Sequence, residues 1–115
     1  MGFKLSGSKV GDLFSEQTKE YFSADFVKII ETHINWLMQQ SNASEVTIGP
    51  VIAKKYQGDF YGLLANQGLD PRLWYATMRC TGLTTFTEND DKLSILRIPS
   101  LADVTSLMSR YKIKT

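Results

Sequence analysis

The sequence predicts an α+β fold, in which an N-terminal arm and a long helix precede a β-α-α-β module and a C-terminal helix. Three observations indicate this order. Apolar side chains recur at helical spacing over residues 26–38 and again over residues 101–111. Between these segments the period changes, and short runs rich in β-branched residues are bounded by Gly or Pro. The predicted divisions are an arm at residues 1–15, a helical segment at 16–45, and the module with the last helix at 46–115.

Length and composition set broad limits on the class of protein. The 115 residues are about the length of one domain, and 43% hydrophobic with 22% charged residues is typical of a globular chain. Thirteen basic and twelve acidic side chains leave a net charge of +1, without the basic surplus that binding to nucleic acid favours. No apolar stretch has the length of a signal peptide or a membrane span. We therefore expect a chain made in the cytoplasm that binds neither nucleic acid nor membrane.

The residue types needed for catalysis or metal binding are scarce. Cys80 is the only cysteine and His33 the only histidine, so we expect no intrachain disulfide, metal site or His-dependent nucleophile. Cys80 is predicted to be a buried small hydrophobe, and His33 to lie at the edge of the core. Glu88, Asp90 and Asp91 are interpreted as a solvated loop, with a carboxylate pair left open. The prediction is a protein that is not an enzyme and has no cofactor.

The first 15 residues are predicted to form an arm. Gly2, Gly7 and Gly11 disfavour a stable helix there. Phe3 and Leu5 nevertheless give the segment enough apolar character to dock, and both are predicted to contact a partner. The arm is expected to become ordered against a neighbouring subunit, with an ordinary frayed terminus as the alternative.

The next segment is predicted to be helical as far as the turn-forming residues 39–44. Ser23 is placed to cap the long helix, with Asp25 in its first turn. The apolar residues of this helix spread over more than one face, which predicts contacts on two sides. We therefore predict that Phe26 and Trp36 contact a partner, with Trp36 as the outward anchor.

Two strand-like runs bound the predicted β-α-α-β module. The first, at residues 46–53, is predicted to be β on both sides of the breaker Gly49-Pro50. The second, at residues 93–98, is stopped by Pro99. Because two short strands cannot bury their own apolar faces, helices are expected to cover one side of them.

Three helices are expected around these strands. The first runs from Phe60 to Asn66. The second begins at Pro71, a favourable first helical position, and ends at Gly82, where a left-handed residue is needed. Ser100 is placed to cap the third, C-terminal helix. Together with the long N-terminal helix, this last helix is expected to give the extra cover that a small core needs.

The order strand, helix, helix, strand over residues 52–99 resembles a LysM module. The residues that carry the resemblance are Gly58-Asp59, the turn Gly68-Leu69-Asp70-Pro71, the pair Gly82-Leu83, and the strand end Ile98-Pro99. The resemblance implies a β-α-α-β fold and, as the alternative function, binding of N-acetylglucosamine-containing glycans such as peptidoglycan or chitin. Phe60 follows Gly-Asp where the family usually has Thr, and Thr81 precedes Gly82 where it commonly has Asn.

The chain also resembles the small LysM-like subunit of phage contractile-tail baseplate wedges. A Tyr-x-Gly-Asp sequence at residues 56–59, an aromatic second helix at 73–78, and an Asp-containing helix after Ile-Pro carry this resemblance. It implies a virion structural protein, located in the tail or baseplate, that joins neighbouring tail proteins and can also associate with its own copies. Tyr56, Tyr61 and Phe86 are predicted to contact these partners, because aromatic residues are enriched at interface centres. An adaptor or regulatory domain is a further alternative.

Overall fold

The computed structural model describes residues 20–111, so the predictions for the arm at residues 1–15, including Phe3 and Leu5, lie outside this range. Within it, five α-helices and a two-stranded antiparallel sheet confirm the α+β class. Short 3-10 turns precede the first and fourth helices. The helices are α1 (Ala24–Gln39), α2 (Pro50–Lys55), α3 (Phe60–Asn66), α4 (Trp74–Thr81) and α5 (Leu101–Arg110), and the strands are β1 (Ser44–Thr47) and β2 (Ile95–Ile98).

Helix α1 begins as the sequence predicts. The Ser23 hydroxyl accepts a hydrogen bond from the backbone N–H of Phe26 at 3.1 Å, which satisfies one of the free donors at the helix start. The backbone of His33 has non-helical angles (φ −120°, ψ 18°) inside the helix. There His33 Nδ1 lies 2.8 Å from the carbonyl oxygen of Ile29. Since a carbonyl oxygen only accepts, Nδ1 carries the proton of this bond.

The segment at residues 51–53 is helical, which corrects the prediction that it forms a strand. Gly49 is the N-cap of α2, and Pro50 occupies the first helical turn. A proline in this position has the backbone angle that a helix needs, and its missing N–H would have no partner in the first turn anyway. Pro50 therefore starts a helix instead of interrupting a strand. Three helices, not two, lie between the strands, and the 52–99 segment begins inside a helix.

Helix α4 is shared between two clusters of buried side chains. Ala76 and Cys80 face the cluster formed with α1 and α5, whereas Trp74 and Met78 face the cluster formed with the sheet, α2 and α3. The helix ends at Gly82, whose φ of +101° is the predicted left-handed conformation. Because both faces of α4 are covered, the expectation that the long helix and the last helix add cover is confirmed.

The sheet is small and has a defined register. Ser44 pairs with Ile98 and Thr47 with Ile95, so the two four-residue strands pair antiparallel along their whole length. Leu96 is fully buried under the sheet. After β2, the Ser100 hydroxyl accepts from the N–H of Asp103 at 3.1 Å and caps α5 as predicted.

Within residues 20–111, none of the helices has the length and apolar character needed to cross a membrane.

Candidate protein-binding surface

A stack of aromatic rings runs from the core to the surface. Tyr61 lies between Trp74 and Phe86, with ring centroids 5.4 Å and 4.9 Å apart and planes inclined by 27° and 10°. The rings of Phe22 and Tyr61 are nearly perpendicular, at 79°, with their centroids 5.9 Å apart. Trp74 is 4% exposed, whereas Phe86 is 48% exposed. We call Phe22, Tyr61 and Phe86, with Trp74 beneath them, the aromatic surface.

Tyr61 is positioned by the start of α3. The Asp59 carboxylate caps this helix by accepting the backbone N–H of Gly62 at 3.0 Å. Phe60, the neighbour of Tyr61, is fully buried and anchors the same turn in the core. Burial raises the pKa of Tyr61 to about 12, so its phenol is neutral at physiological pH. The two faces of the Tyr61 ring are therefore covered by Trp74 and Phe86, and its hydroxyl is neutral.

Phe86 lies in the loop between α4 and β2, and backbone hydrogen bonds hold this loop against the start of α3. The N–H of Phe60 donates to the carbonyl of Phe86 at 2.8 Å, and the N–H of Gly58 donates to the carbonyl of Asn89 at 2.9 Å. Asn89 is 4% exposed, and its side-chain amide donates to the carbonyl of Tyr56 at 2.8 Å. An exposed aromatic ring is thus carried on a loop tied down at three points.

Tyr56 belongs to the same region but contributes differently. Its ring is half-buried and packs against the sheet-side cluster, with Lys55 Nζ 5.6 Å from the ring centroid. Its backbone carbonyl holds Asn89 in place. Tyr56 therefore supports the loop that carries Phe86 as well as retaining a partly exposed ring.

Trp36 lies elsewhere, against the other buried cluster. It is half-buried, and the guanidinium carbon of Arg110 in α5 lies 5.8 Å from its ring centroid. Nearby, His33 Nε2 and the Tyr111 hydroxyl are 3.1 Å apart, and Tyr111 is 49% exposed. The predicted outward anchor is therefore partly covered by the chain's own last helix, with part of its ring still exposed.

The prediction that Phe26 contacts a partner does not hold in this fold. Phe26 is 0% exposed, and its ring meets Tyr21 edge-on at 5.3 Å inside the cluster between α1 and α5. One apolar face of α1 is thus covered by other residues of the same chain. Phe26 thus stabilises the core and has no surface to present.

An ion pair joins α1 to α4. Arg79 Nη2 donates to Glu31 Oε1 at 2.8 Å, and the Tyr75 hydroxyl donates to Glu31 Oε2 at 2.6 Å. Arg79 Nη1 also donates to the carbonyl of Leu83 at 2.7 Å, at the beginning of the loop that carries Phe86. The hydrogen bonds from Arg79 lower the pKa of the Glu31 carboxyl, so this pair is charged at neutral pH.

Metal ligands and the thiol of Cys80 are the reactive groups to consider among residues 20–111. Residues 20–111 contain no group of three or more His, Cys, Asp or Glu side chains placed to hold one metal ion. Cys80 is buried as predicted, and burial raises the pKa of its thiol to about 11. A thiol with that pKa is protonated at neutral pH and is a poor nucleophile.

Tyr61 and Phe86 are both among the predicted partner contacts, and the structure places them in direct contact. Phe22, which also belongs to the aromatic surface, and Asn89, which holds the loop, were not predicted as site residues. A signal for Asn89 was present, since it is the one amide within the acidic run Glu88 to Asp91. Nothing local in the sequence indicated its burial, because its partners are about 30 residues away along the chain.

Similarity to other proteins offers no independent assignment of the family. The resemblances to LysM modules and to the LysM-like baseplate subunit depend on short segments such as Gly58-Asp59 and Ile98-Pro99. The proposal of a function therefore rests on the aromatic surface. Comparison with protein-family models, with curated protein sequences and with solved structures gave no significant match.

Proposed function

We propose that this chain is a non-catalytic structural subunit of a phage contractile-tail baseplate, where it joins neighbouring tail proteins through the aromatic surface. The observation that carries the proposal is the exposed ring of Phe86, stacked on Tyr61 and fixed by backbone hydrogen bonds. Large apolar rings that stay exposed in a fixed position are typical of protein contact sites. In this proposal the protein is located in the virion tail.

The arrangement of elements supports a LysM-like module as the framework of this subunit. The two strands pair antiparallel, and α3 and α4 follow the Gly58-Asp59 and Asp70-Pro71 boundaries on which the resemblance was based. Helix α2 is an addition between the first strand and the first of these helices. Helices α1 and α5 then provide the second buried cluster.

The energetics also favour a protein partner. Because Phe86 is already held in place, docking onto it costs little conformational entropy. Covering the exposed half of a phenylalanine ring contributes roughly 2 kcal/mol at ~25 cal/mol per Å². A single ring of this kind is too small for a stable complex, so the neighbouring Tyr61 and Phe22 are expected to share the contact.

The test uses the virus that encodes the chain. Antibody against the chain should label the baseplate end of purified particles in electron micrographs. In cells that supply the chain from a plasmid, Phe86→Ala should reduce incorporation into particles, because it removes the exposed ring of the surface. Val51→Ala is the matched control, since Val51 is 77% exposed and lies outside the aromatic surface.

The outcomes separate clearly. Normal thermal unfolding of purified Phe86→Ala together with poor incorporation supports the proposal. Equal incorporation of the Phe86→Ala and Val51→Ala chains would contradict a contact role for the aromatic surface. Absence of the chain from purified particles would contradict the virion assignment itself.

We also predict that the purified chain is not retained on insoluble chitin or on peptidoglycan sacculi. Phe60 replaces the usual Thr after Gly-Asp, and its side chain is fully buried in the core, so it is inaccessible to a sugar. The measurement is a pull-down with increasing chain concentration, with a known LysM domain as the positive control. Saturable retention that Phe86→Ala abolishes would instead favour the glycan-binding alternative.

A further inference from the structure

Among residues 20–111, one edge of strand β1 has no other strand paired with it. The N–H of Ile48 donates to the carbonyl of Ser94 at 2.8 Å, and residues 48 and 94 continue the register of the sheet. Hydrogen-bonded pairs alternate along an antiparallel ladder. The N–H and C=O groups of Val46 therefore point towards β2, whereas those of Glu45 and Thr47 point away from it.

The two edges of the sheet differ in how they are covered. On the β2 side, the outward N–H of Arg97 donates to Thr81 Oγ1 at the end of α4, at 3.1 Å. On the β1 side, no hydrogen bond to the backbone of Glu45 or Thr47 is present among residues 20–111, and β2 is the only element that packs extensively against β1. Two N–H and two C=O groups are thus left at an exposed edge, which is a template for another strand.

We propose that this edge pairs with β1 of a second copy of the chain, antiparallel and with Val46 of the two copies opposite each other. In this register Glu45 of each copy lies opposite Thr47 of the other. Those are the residues whose backbone groups face outward, so the pairing forms four hydrogen bonds and satisfies all four outward groups of each copy. Two ribbons of two strands become one sheet of four, which is inherently more stable than an isolated pair.

The side chains fit self-pairing. Glu45 and Thr47 share the solvent face of the sheet with Arg97, and Glu45 Oε2 lies 3.4 Å from Arg97 Nε. Across the new strand pair each Glu45 carboxylate therefore meets a neutral threonine, and no like charges stand opposite each other. The inference is independent of the proposed function, because it uses neither the aromatic surface nor any tail protein.

The test is a pair of substitutions of opposite charge at one exposed position. Thr47→Lys places an ammonium opposite Glu45 of the other copy twice per dimer, and Thr47→Glu places a carboxylate there. From the usual strength of cross-strand pairs, Thr47→Lys should tighten the dimer by about 2-fold to about 30-fold, and Thr47→Glu should weaken it by a similar factor. Sedimentation equilibrium of the full chain at low salt, over a concentration series, measures both.

A third variant addresses the backbone directly. Thr47→Pro removes an N–H that points away from β2, so the β1–β2 ladder keeps its hydrogen bonds while the dimer loses two.

Thermal unfolding checks that each variant folds. The proposal is supported if Thr47→Lys strengthens self-association and both Thr47→Glu and Thr47→Pro weaken it. A chain that stays monomeric at all concentrations, or a dimer insensitive to these changes, would overturn it. So would slow exchange of the Glu45 and Thr47 amides in a monomer, which would show that another part of the same chain covers the edge.

Discussion

At the scale of single residues, Glu31 connects two helices through a charge that depends on pH. Arg79 and Tyr75 both donate to its carboxylate, and the Arg79 hydrogen bonds are the main reason that its pKa is lowered in the folded chain. A group with a lowered folded pKa stabilises the fold at pH values above its unfolded pKa of about 4.3. That contribution is lost as the pH falls through the lower, folded value.

We predict that Glu31→Gln lowers the free energy of unfolding at pH 7 by no more than about 1 kcal/mol, because the Glu31 side chain is 38% exposed and water screens the pair. The difference from the parent chain should shrink at about pH 3, below the unfolded pKa, because protonation of the carboxylate begins to remove the ionic contribution. Urea unfolding at the two pH values measures this. Glu45→Gln is the control, since the Glu45 side chain is 61% exposed and its change should have almost no effect. A Glu31→Gln effect of equal size at both pH values would contradict an ionic contribution.

At the scale of elements, the start of α3 depends on a glycine and a cap. A Cβ atom at Gly62 would overlap the Asp59 carboxylate that caps the helix. Alanine is better than glycine in a helix by about 1 kcal/mol, and losing the cap costs about 1 kcal/mol. We therefore predict that Gly62→Ala is nearly neutral in the parent chain but stabilises Asp59→Ala by about 1 kcal/mol.

Urea unfolding of the parent, the two single variants and the double variant measures this coupling between Gly62 and Asp59. The coupling arises because the added methyl group displaces the carboxylate only where a carboxylate is present. If Gly62→Ala stabilised both backgrounds equally, the Asp59 cap would have to tolerate the methyl group, and the proposed overlap would be incorrect.

Local signals made most element boundaries predictable. Ser23 and Ser100 cap helices, and Gly82 ends one, because a cap or a left-handed residue acts within one turn of its own position. The run at residues 51–53 was not predictable in the same way. A short apolar stretch fits a strand and a buried helix equally well, and Gly49-Pro50 fits a strand breaker as well as a helix start. In the fold, packing of Ala53 against the sheet-side cluster accompanies the helical alternative.

The same distinction applies to the candidate surface. Aromatic character at Tyr61 and Phe86 was visible in the sequence, but their stacking depends on a loop fixed by contacts far along the chain. For α1, periodicity showed that more than one face is apolar and could not show which face the chain covers itself. Phe26 is on the face that meets α4 and α5, so its assignment to a partner was wrong.

At the scale of the whole molecule, α4 links the two buried clusters, and we expect them to unfold together. Leu107 is fully buried in the cluster between α1 and α5, whereas Trp74 is in the cluster under the sheet. We predict that Leu107→Ala lowers the free energy of unfolding by about 2–5 kcal/mol. The fluorescence of Trp74, in the other cluster, should report the same decrease.

The measurement uses a chain with Trp36→Phe, in which Trp74 is the only tryptophan. Its fluorescence transition in urea should coincide with the loss of helical circular dichroism, both with and without Leu107→Ala. Leu64→Ala, in the same cluster as Trp74, is the matched control. If Leu107→Ala moved the circular dichroism transition and left the Trp74 transition in place, the helical segment and the sheet-side module would be separate folding units.

The burial of Cys80 has a practical consequence for following the dynamics of this chain. It is the single thiol among 115 residues, it is 5% exposed on the shared helix, and its pKa is raised to about 11. A thiol reagent can therefore react only when α4 separates from its neighbours. The rate at which a thiol reagent modifies the natural sequence therefore reports the opening of its interior, without any substitution to introduce a cysteine.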